Sequence, residues 1–336
     1  MRTALDLRVN EQTEGPGPIL KAMRQLLTHV KSPNLWTKLE RLGPNYRRDV
    51  AMQNRVIRNQ LLPQIRQQLC REASTNSHKT VISLALDEFR NESGKQNPKE
   101  PSPEFIDIVE SQLRLFISAG HDTTAQAICW ILYKINKNTD ILTRLRAEHD
   151  QVLGANPGVA TQTLTEYPHK LNNMPYTTAV IKETLRLHPL GSTFRRGSPT
   201  FHFVHEGVSY PTEDALIQTI PTVVHLRPDL WPRATEFLPE RFLVAEDHPL
   251  RPIKNAWRAF ELGHTRCIGE ELAMMEMKLV LVFTVRELEF HFDWEGWHKQ
   301  QKRTAPPDTV DDEHIYRVGA GVGYVKDNLP TRVRLR

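Results

Sequence analysis

Apolar positions recur at helical spacing through the first two-thirds of this chain and at strand spacing only later. The i, i+3, i+4 rhythm predicts helices over Ile19–Val30, Tyr46–Glu72, Thr80–Asn91, Pro103–Lys137, Asp140–Leu153 and Thr177–Leu187. Polar breaks bearing proline or glycine separate them, as at Ser93–Pro101 and Gly154–Gly158. From Gly191 to Ile220 the pattern shortens to extended pieces, with turns predicted at Gly197-Ser198-Pro199 and Tyr210-Pro211. A further helix is predicted from Cys267 to Arg286. The tail, with Phe290-His291-Phe292 and Gly319 to Tyr324, predicts strands and hairpins. A helical body, a small sheet, a helix and a final β region make a mainly α (α+β) class rather than alternating strands and helices.

The composition narrows the function classes. With 336 residues the chain can bury a large core, and 39% apolar with 25% charged residues is ordinary for a globular protein. A formal charge of +4 is small, and the arginines between Arg41 and Arg71 lack interleaved aromatics, so they read as solvated helix faces and not as a nucleic-acid surface. Cys70, Cys129 and Cys267 lie far apart with no C-x-x-C pair, which argues against a disulfide scaffold and a zinc ribbon. His264 and Cys267 have the spacing of half a zinc site, but no second pair exists. No apolar run approaches the length of a membrane span. Asn91-Glu92-Ser93 is formally a glycosylation sequon, and nothing else points to a secretory lumen. The Gly319–Gly323 run lacks the strand–helix context of a dinucleotide loop and reads as a glycine-rich hairpin.

The most informative segment is Phe260-Glu261-Leu262-Gly263-His264-Thr265-Arg266-Cys267-Ile268-Gly269. A buried lone cysteine is usually a small hydrophobe. Here two glycines frame it, and glycine permits backbone turns and close approaches that a Cβ forbids. A helical pattern follows at once, so a helix start lies near the sulfur and favours thiolate over thiol. Such a loop can fold around a flat ligand and aim its N–H groups at the sulfur, and a cysteine thiolate is a known axial ligand of haem iron.

Four further segments stand out. Ala119-Gly120-His121-Asp122-Thr123-Thr124 places a glycine and hydroxyls inside a strong helix, where glycine costs about 1 kcal/mol relative to alanine. A threonine hydroxyl bonding back to the carbonyl four residues earlier would open a polar notch able to hold dioxygen and water, with Asp122 beside it as a proton relay. An incidental polar turn is the bland alternative. Glu183 and Arg186 stand at i, i+3 on a helix that Pro189 ends, which by itself is an ordinary exposed ion pair worth less than about 1 kcal/mol. Pro239-Glu240-Arg241-Phe242 and Phe194-Arg195-Arg196 complete the set.

Together, in their order along the chain, these segments resemble the cytochrome P-450 family, and most closely its fungal secondary-metabolism members. The cysteine loop matches the family's Phe-x-x-Gly-x-Arg-x-Cys-x-Gly at Phe260, Gly263, Cys267 and Gly269; the family's arginine falls on Thr265, with Arg266 one place late. The resemblance implies a single domain over residues 1–336 with the P-450 fold, helix-rich with small β-sheets and lacking the N-terminal anchor and first helices. It implies haem b on Cys267, Arg195 at a haem propionate, Thr123 as the proton-delivery threonine with Asp122 as its acidic neighbour, and Glu183, Arg186 and Arg241 as a structural network. It implies a monooxygenase using O2, a small organic substrate and electrons from NADPH through a P-450 reductase; full-length relatives sit on the cytosolic face of the endoplasmic reticulum membrane, and a chain without the anchor is expected in the cytoplasm. A competing reading is a truncated, non-catalytic relic of such an enzyme. A peroxide-using or isomerase relative is disfavoured by the acid–threonine pair.

Overall fold

Proline sets the start of half of the numbered helices, because its fixed φ suits the first helical position and its missing N–H is not needed there. The computed structural model describes residues 10–29, 35–70, 80–84, 87, 102–304, 308–318 and 323–336. After a helical turn at Glu11–Glu14 come α1 Pro18–Thr28, α2 Leu35–Leu42, α3 Pro44–Cys70 and α4 Pro103–Lys137. Then follow α5 Thr139–Leu153, α6 Ala160–Glu166, α7 Pro175–Leu187, α8 Pro221–His225, α9 Glu270–Thr284 and α10 Trp294–Gln300. The long α4 has the bounds that periodicity predicts. Of Thr80–Asn91, residues 81–84 and 87 are helical and Thr80 precedes the helix; residues 85, 86 and 88–91, the sequon and the Ser93–Pro101 break lie outside the described residues.

Contacts divide the chain into two compact units, Met1–His121 and Asp122–Arg336. The first has its own core, built from Ile19, Ala22 and Met23 of α1, Ile57, Leu61 and Ile65 of α3, Ile82, and Val109 and Leu113 at the start of α4. Arg114 reinforces it, donating to Asn54 Oδ1 (2.8 Å), the Asn54 carbonyl (2.9 Å) and Glu110 (2.7 Å).

The second unit contains the elements that matter for function. One apolar stripe from each of α4 (Ala127, Ile131, Ile135), α5 (Leu145), α7 (Val180, Ile181, Leu185) and α9 (Met277, Leu281) meets in a common core. The start of α7 is held from outside. Pro175 has no N–H, so the free donors of the first turn are those of Tyr176 and Thr177, and both go to the Glu148 carboxylate on α5 (2.6 and 2.8 Å).

Four antiparallel pairs complete the unit: β1 Thr193–Arg196 with β4 Leu216–Thr219, β2 His202–His205 with β3 Val208–Pro211, β5 Leu288–Phe292 with β8 Thr331–Leu335, and β6 Arg317–Val318 with β7 Tyr324–Val325. The turn predicted at Gly197-Ser198-Pro199 is present, and it requires glycine: a Cβ on Gly197 would stand 1.6 Å from the Thr212 carbonyl oxygen. The turn predicted at Tyr210-Pro211 is not a turn. These residues pair with Phe203 and His202, and the chain reverses instead at Glu206-Gly207, both at positive φ. Pro211 is tolerated because it is the last residue of its strand. The tail is not all strand either. Trp294–Gln300 is helical, started by Asp293 accepting from the Gly296 N–H (2.9 Å). Residues 319–322 of the glycine-rich run lie outside the described residues, and the strands on either side of them pair as a hairpin.

Burial leaves a titratable signature. His149 and His225 have no exposed surface. Burial, aided by Arg286 near His149, pushes the His149 imidazole down to about 4, and burial pushes His225 to about 4 as well. The folded state therefore takes up these protons later than the unfolded chain, whose histidines titrate near 6.5. The associated stability is present above pH 6.5 and is lost as pH falls toward 4, by about 2 kcal/mol per histidine at pH 5. Denaturant midpoints at pH 7.5 and pH 5 measure this, and His149→Gln is expected to reduce the difference between them. An unchanged pH dependence in that variant contradicts the assignment.

Candidate functional site

The cysteine loop is built by short-range hydrogen bonds around one positive-φ glycine. Gly263 (φ 76°) turns the chain, Arg266 N donates to the Gly263 carbonyl (3.0 Å), and Cys267 N donates back to the Phe260 carbonyl (2.9 Å). Gly269 does not need positive φ; a Cβ there would make only ordinary contact with Cys267 Sγ, at 3.8 Å. Helix α9 begins at Glu270, three residues beyond the cysteine and not at it. The expectation that loop N–H groups point at the sulfur is not met among the described residues. The N–H groups of Arg266 and Cys267 go to backbone carbonyls of the loop, and Glu270 N, at the helix start, goes to the Cys267 carbonyl (3.4 Å).

Behind the loop, Trp257 packs on Phe260 (ring centroids 5.8 Å apart) and donates its indole N–H to the Lys182 carbonyl on α7 (3.1 Å). That helix carries Glu183 and Arg186. The pair is not the exposed one that i, i+3 spacing alone suggests: Glu183, Arg186 and Arg241 are all 0% exposed. Arg186 grips the carboxylate with two N–H groups (2.8 and 2.8 Å), and Arg241 adds a third (3.0 Å). The remaining donors of Arg186 go to the carbonyls of His225, Ala234 and Glu236, and those of Arg241 to Pro232 and Arg233. Buried charges persist only when so saturated. His225 then carries the network to the loop. Its Nδ1–H donates to the Arg186 carbonyl (2.9 Å), so its Nε2 is free to accept the Arg258 N–H (2.8 Å).

In front of the loop lies a cavity of about 250 Å³. Cys267, Phe260, Thr123, Thr124, Leu185 and Met277 are among the residues that line it, so the structure brings the sequence-predicted cysteine and threonine to one space. Most of the wall is apolar, with one polar end made by Thr193, Arg258, Glu261 and Thr265. Helix α4 runs unbroken past Thr123, without the opening that the hydroxyl-rich segment predicts. Asp122 accepts a hydrogen bond from the Tyr324 phenol (2.9 Å), and one turn later Gln126 accepts from the Val325 N–H (2.6 Å). Burial first, then the Asp122 carboxylate, push the Tyr324 phenol up to about 12, so it remains a donor. Arg195, on β1, does not line the cavity; it donates to Thr265 Oγ1 at the rim and to its own neighbour's carbonyl, Phe194 O. Arg266 turns outward to Glu270 (2.7 Å).

Sequence reasoning missed the polar end. Glu261, only 7% exposed, accepts from Thr219 Oγ1 (2.6 Å) and from Arg258 Nε and Nη2 (2.9 and 2.6 Å). Burial works against its charge, but these hydrogen bonds outweigh it and hold the carboxyl below its ordinary range. The Arg258–Glu261 spacing beside Phe260 was the available signal. Tyr324 and Gln126 gave none, being about 200 residues from their partners. Among the described residues, no group of three or more His, Cys, Asp or Glu side chains converges on a metal-sized site.

Residues 1–309 match the family model described as cytochrome P-450. The chain is 40% identical over 239 residues to the cytochrome P-450 monooxygenase polC of Polytolypa hystricis, covering 71% of this chain and 43% of that protein. It is 30% identical to the cytochrome P-450 monooxygenase acrF of Aspergillus aculeatus, over 68% of this chain and 51% of that one. The chain thus spans about half the length of these curated relatives. A crystal structure of a cytochrome P-450 superposes with a TM-score of 0.75 at 20% identity, covering 100% of this chain and 68% of the other, which shows the same fold, helix-rich with small sheets.

The buried cluster makes a stability prediction. Glu183→Gln removes the one carboxylate between two buried guanidinium groups and is expected to destabilise the protein by about 3–5 kcal/mol. Arg227→Gln, which breaks an exposed pair with Asp229, is the comparison and should leave stability where it was. Equal denaturant midpoints for the two variants would show that the cluster is not what holds this region.

Proposed function

The chain belongs to the cytochrome P-450 family, and from that premise we propose that the cavity in front of Cys267 takes a haem b and that the protein is a haem-thiolate monooxygenase acting on a small organic substrate of secondary metabolism. The observation that carries this reading is that Cys267 and Thr123, from segments of the chain far apart in sequence, line one mainly apolar cavity with a polar end. That lining suits a flat apolar disc with two carboxylates. Cys267 is assigned as the iron ligand, Phe260 and Met277 as part of the apolar wall, and Gly263 and Gly269 as the turns that frame the ligand. Arg195 is assigned to a propionate at the rim. Haem bound there supplies the activation of dioxygen, with electrons from NADPH through a P-450 reductase. Thr123 is assigned to deliver protons into the cavity and Asp122 to renew them, its carboxylate oriented by the Tyr324 hydroxyl. Glu183, Arg186 and Arg241 act structurally, behind the loop.

Both compact units are read as one domain of the family fold, since the family match runs from residue 1 to residue 309. A position on the cytosolic face of the endoplasmic reticulum membrane is proposed from the family alone; among the described residues no helix is long and apolar enough to cross a membrane. A second reading, a non-catalytic relative that holds haem weakly, is favoured by Thr265 at the loop's arginine position and by the engagement of Arg266 with Glu270. Haem titration separates the two: stoichiometric uptake with a thiolate-type spectrum supports the enzyme, and weak uptake supports the relic.

Two substitutions test the assigned roles. Cys267→Ala is expected to abolish the red-shifted Soret band of the reduced, carbon-monoxide-bound protein; survival of that band removes Cys267 as the ligand. Thr123→Ala is expected to leave haem content intact while lowering the product formed per NADPH consumed. An unchanged ratio dismisses Thr123 as the proton donor.

A further inference from the structure

A ligand with two carboxylates needs cations at the polar end of this cavity. The loop position at which the family has its arginine holds Thr265, and the neighbouring Arg266 is drawn outward by Glu270. Arg195 reaches only the rim. Among the cavity-lining residues, Arg258 alone carries a guanidinium group.

Arg258 is fixed at both ends. Its backbone N–H is held by His225 Nε2 (2.8 Å), which is itself tied to the carbonyl of Arg186. Its guanidinium donates through Nε and Nη2 to one oxygen of Glu261, and among the described residues nothing accepts from Nη1. Glu261 in turn cannot swing away. Its backbone is in the left-handed region (φ 59°), and its other oxygen is held by Thr219 and, at 3.5 Å, by Thr193. Thr193 and Thr219 face each other across the β1–β4 pair and share a hydroxyl hydrogen bond of 2.6 Å. A guanidinium is a rigid fork of five donors, so fixing the Nε/Nη2 edge also fixes the direction of Nη1.

We propose that Arg258, oriented by Glu261, is the cation that receives a carboxylate of the bound haem, in place of the loop arginine that Thr265 has displaced. This rests on the haem reading above. Nη1 supplies the charged hydrogen bond, and Thr193 and Thr265 supply neutral contacts on either side. Arg258 is thereby a binding residue, and Glu261 and His225 are its positioning residues.

Haem and its dimethyl ester, which has the same disc without the charges, distinguish this role from a purely structural one. Each is titrated against the full chain by Soret absorbance. Arg258→Gln is expected to lose about tenfold or more in affinity for haem, as befits one charged hydrogen bond, and to bind the ester like the parent protein. Arg258→Lys should recover most of the haem affinity, and Arg266→Gln should bind both ligands normally. A parallel loss for haem and ester in Arg258→Gln overturns the proposal, because it marks a damaged loop and not a missing cation. So does unchanged haem affinity in Arg258→Gln, or a haem-selective loss in Arg266→Gln. If the unmodified chain binds neither ligand, the haem reading itself has failed and this proposal falls with it; tight parental binding with an indifferent Arg258 removes the proposal alone.

Discussion

A single carboxylate holding two guanidinium groups out of water is the interaction on which the cysteine loop depends. Glu183 cannot release either arginine without leaving a buried charge unpaired, and neither arginine can leave without depriving backbone carbonyls of a charged donor. The segment from His225 to Glu236, which has little regular structure, is therefore held by side-chain forks rather than by a sheet. Through His225 the same constraint fixes the backbone of Arg258, and from Arg258 the chain runs directly into Phe260 and the loop. Rigidity thus passes from α7 to the cysteine through hydrogen bonds, each with its partner fixed.

The helical frame was legible because burial of one helix face leaves a periodic record, and α4 is read to the residue at both ends. What misled was local chemistry with a tertiary answer. Pro211 looks like a turn residue, yet its strand ends there, so the absent N–H breaks no ladder. Trp294 to Gln300 falls in the tail that predicts strands and hairpins, yet Asp293 and Gly296 make a helix start. Glu183 and Arg186 illustrate the limit from the other side. Their spacing establishes that they can touch, but only the arrival of Arg241 and five carbonyls makes the pair buried.

The candidate site divides the same way. Cys267, Phe260 and Gly263 belong to one contiguous segment, and their geometry is set within it. Glu261 sits in that same segment, but its role depends on the pairing of β1 with β4, which brings Thr193 and Thr219 to its carboxylate. No periodicity encodes that meeting. The sulfur, expected to collect backbone donors, instead lines the cavity, while the N–H groups of Arg266, Cys267 and Glu270 are taken up by backbone carbonyls.

The contact between Tyr324 and Asp122 has a bearing on the order of assembly. Its two residues are 202 positions apart, and the companion bond from Val325 to Gln126 spans 199. Contacts of such separation cost the most loop-closure entropy and form late. Helix α4, by contrast, can form from contacts within a few turns. The helix that carries Asp122 therefore needs only local contacts, whereas the phenol that orients its carboxylate needs the β6–β7 hairpin in place. A folding intermediate with all its helices in place would still lack the tyrosine's hold on Asp122.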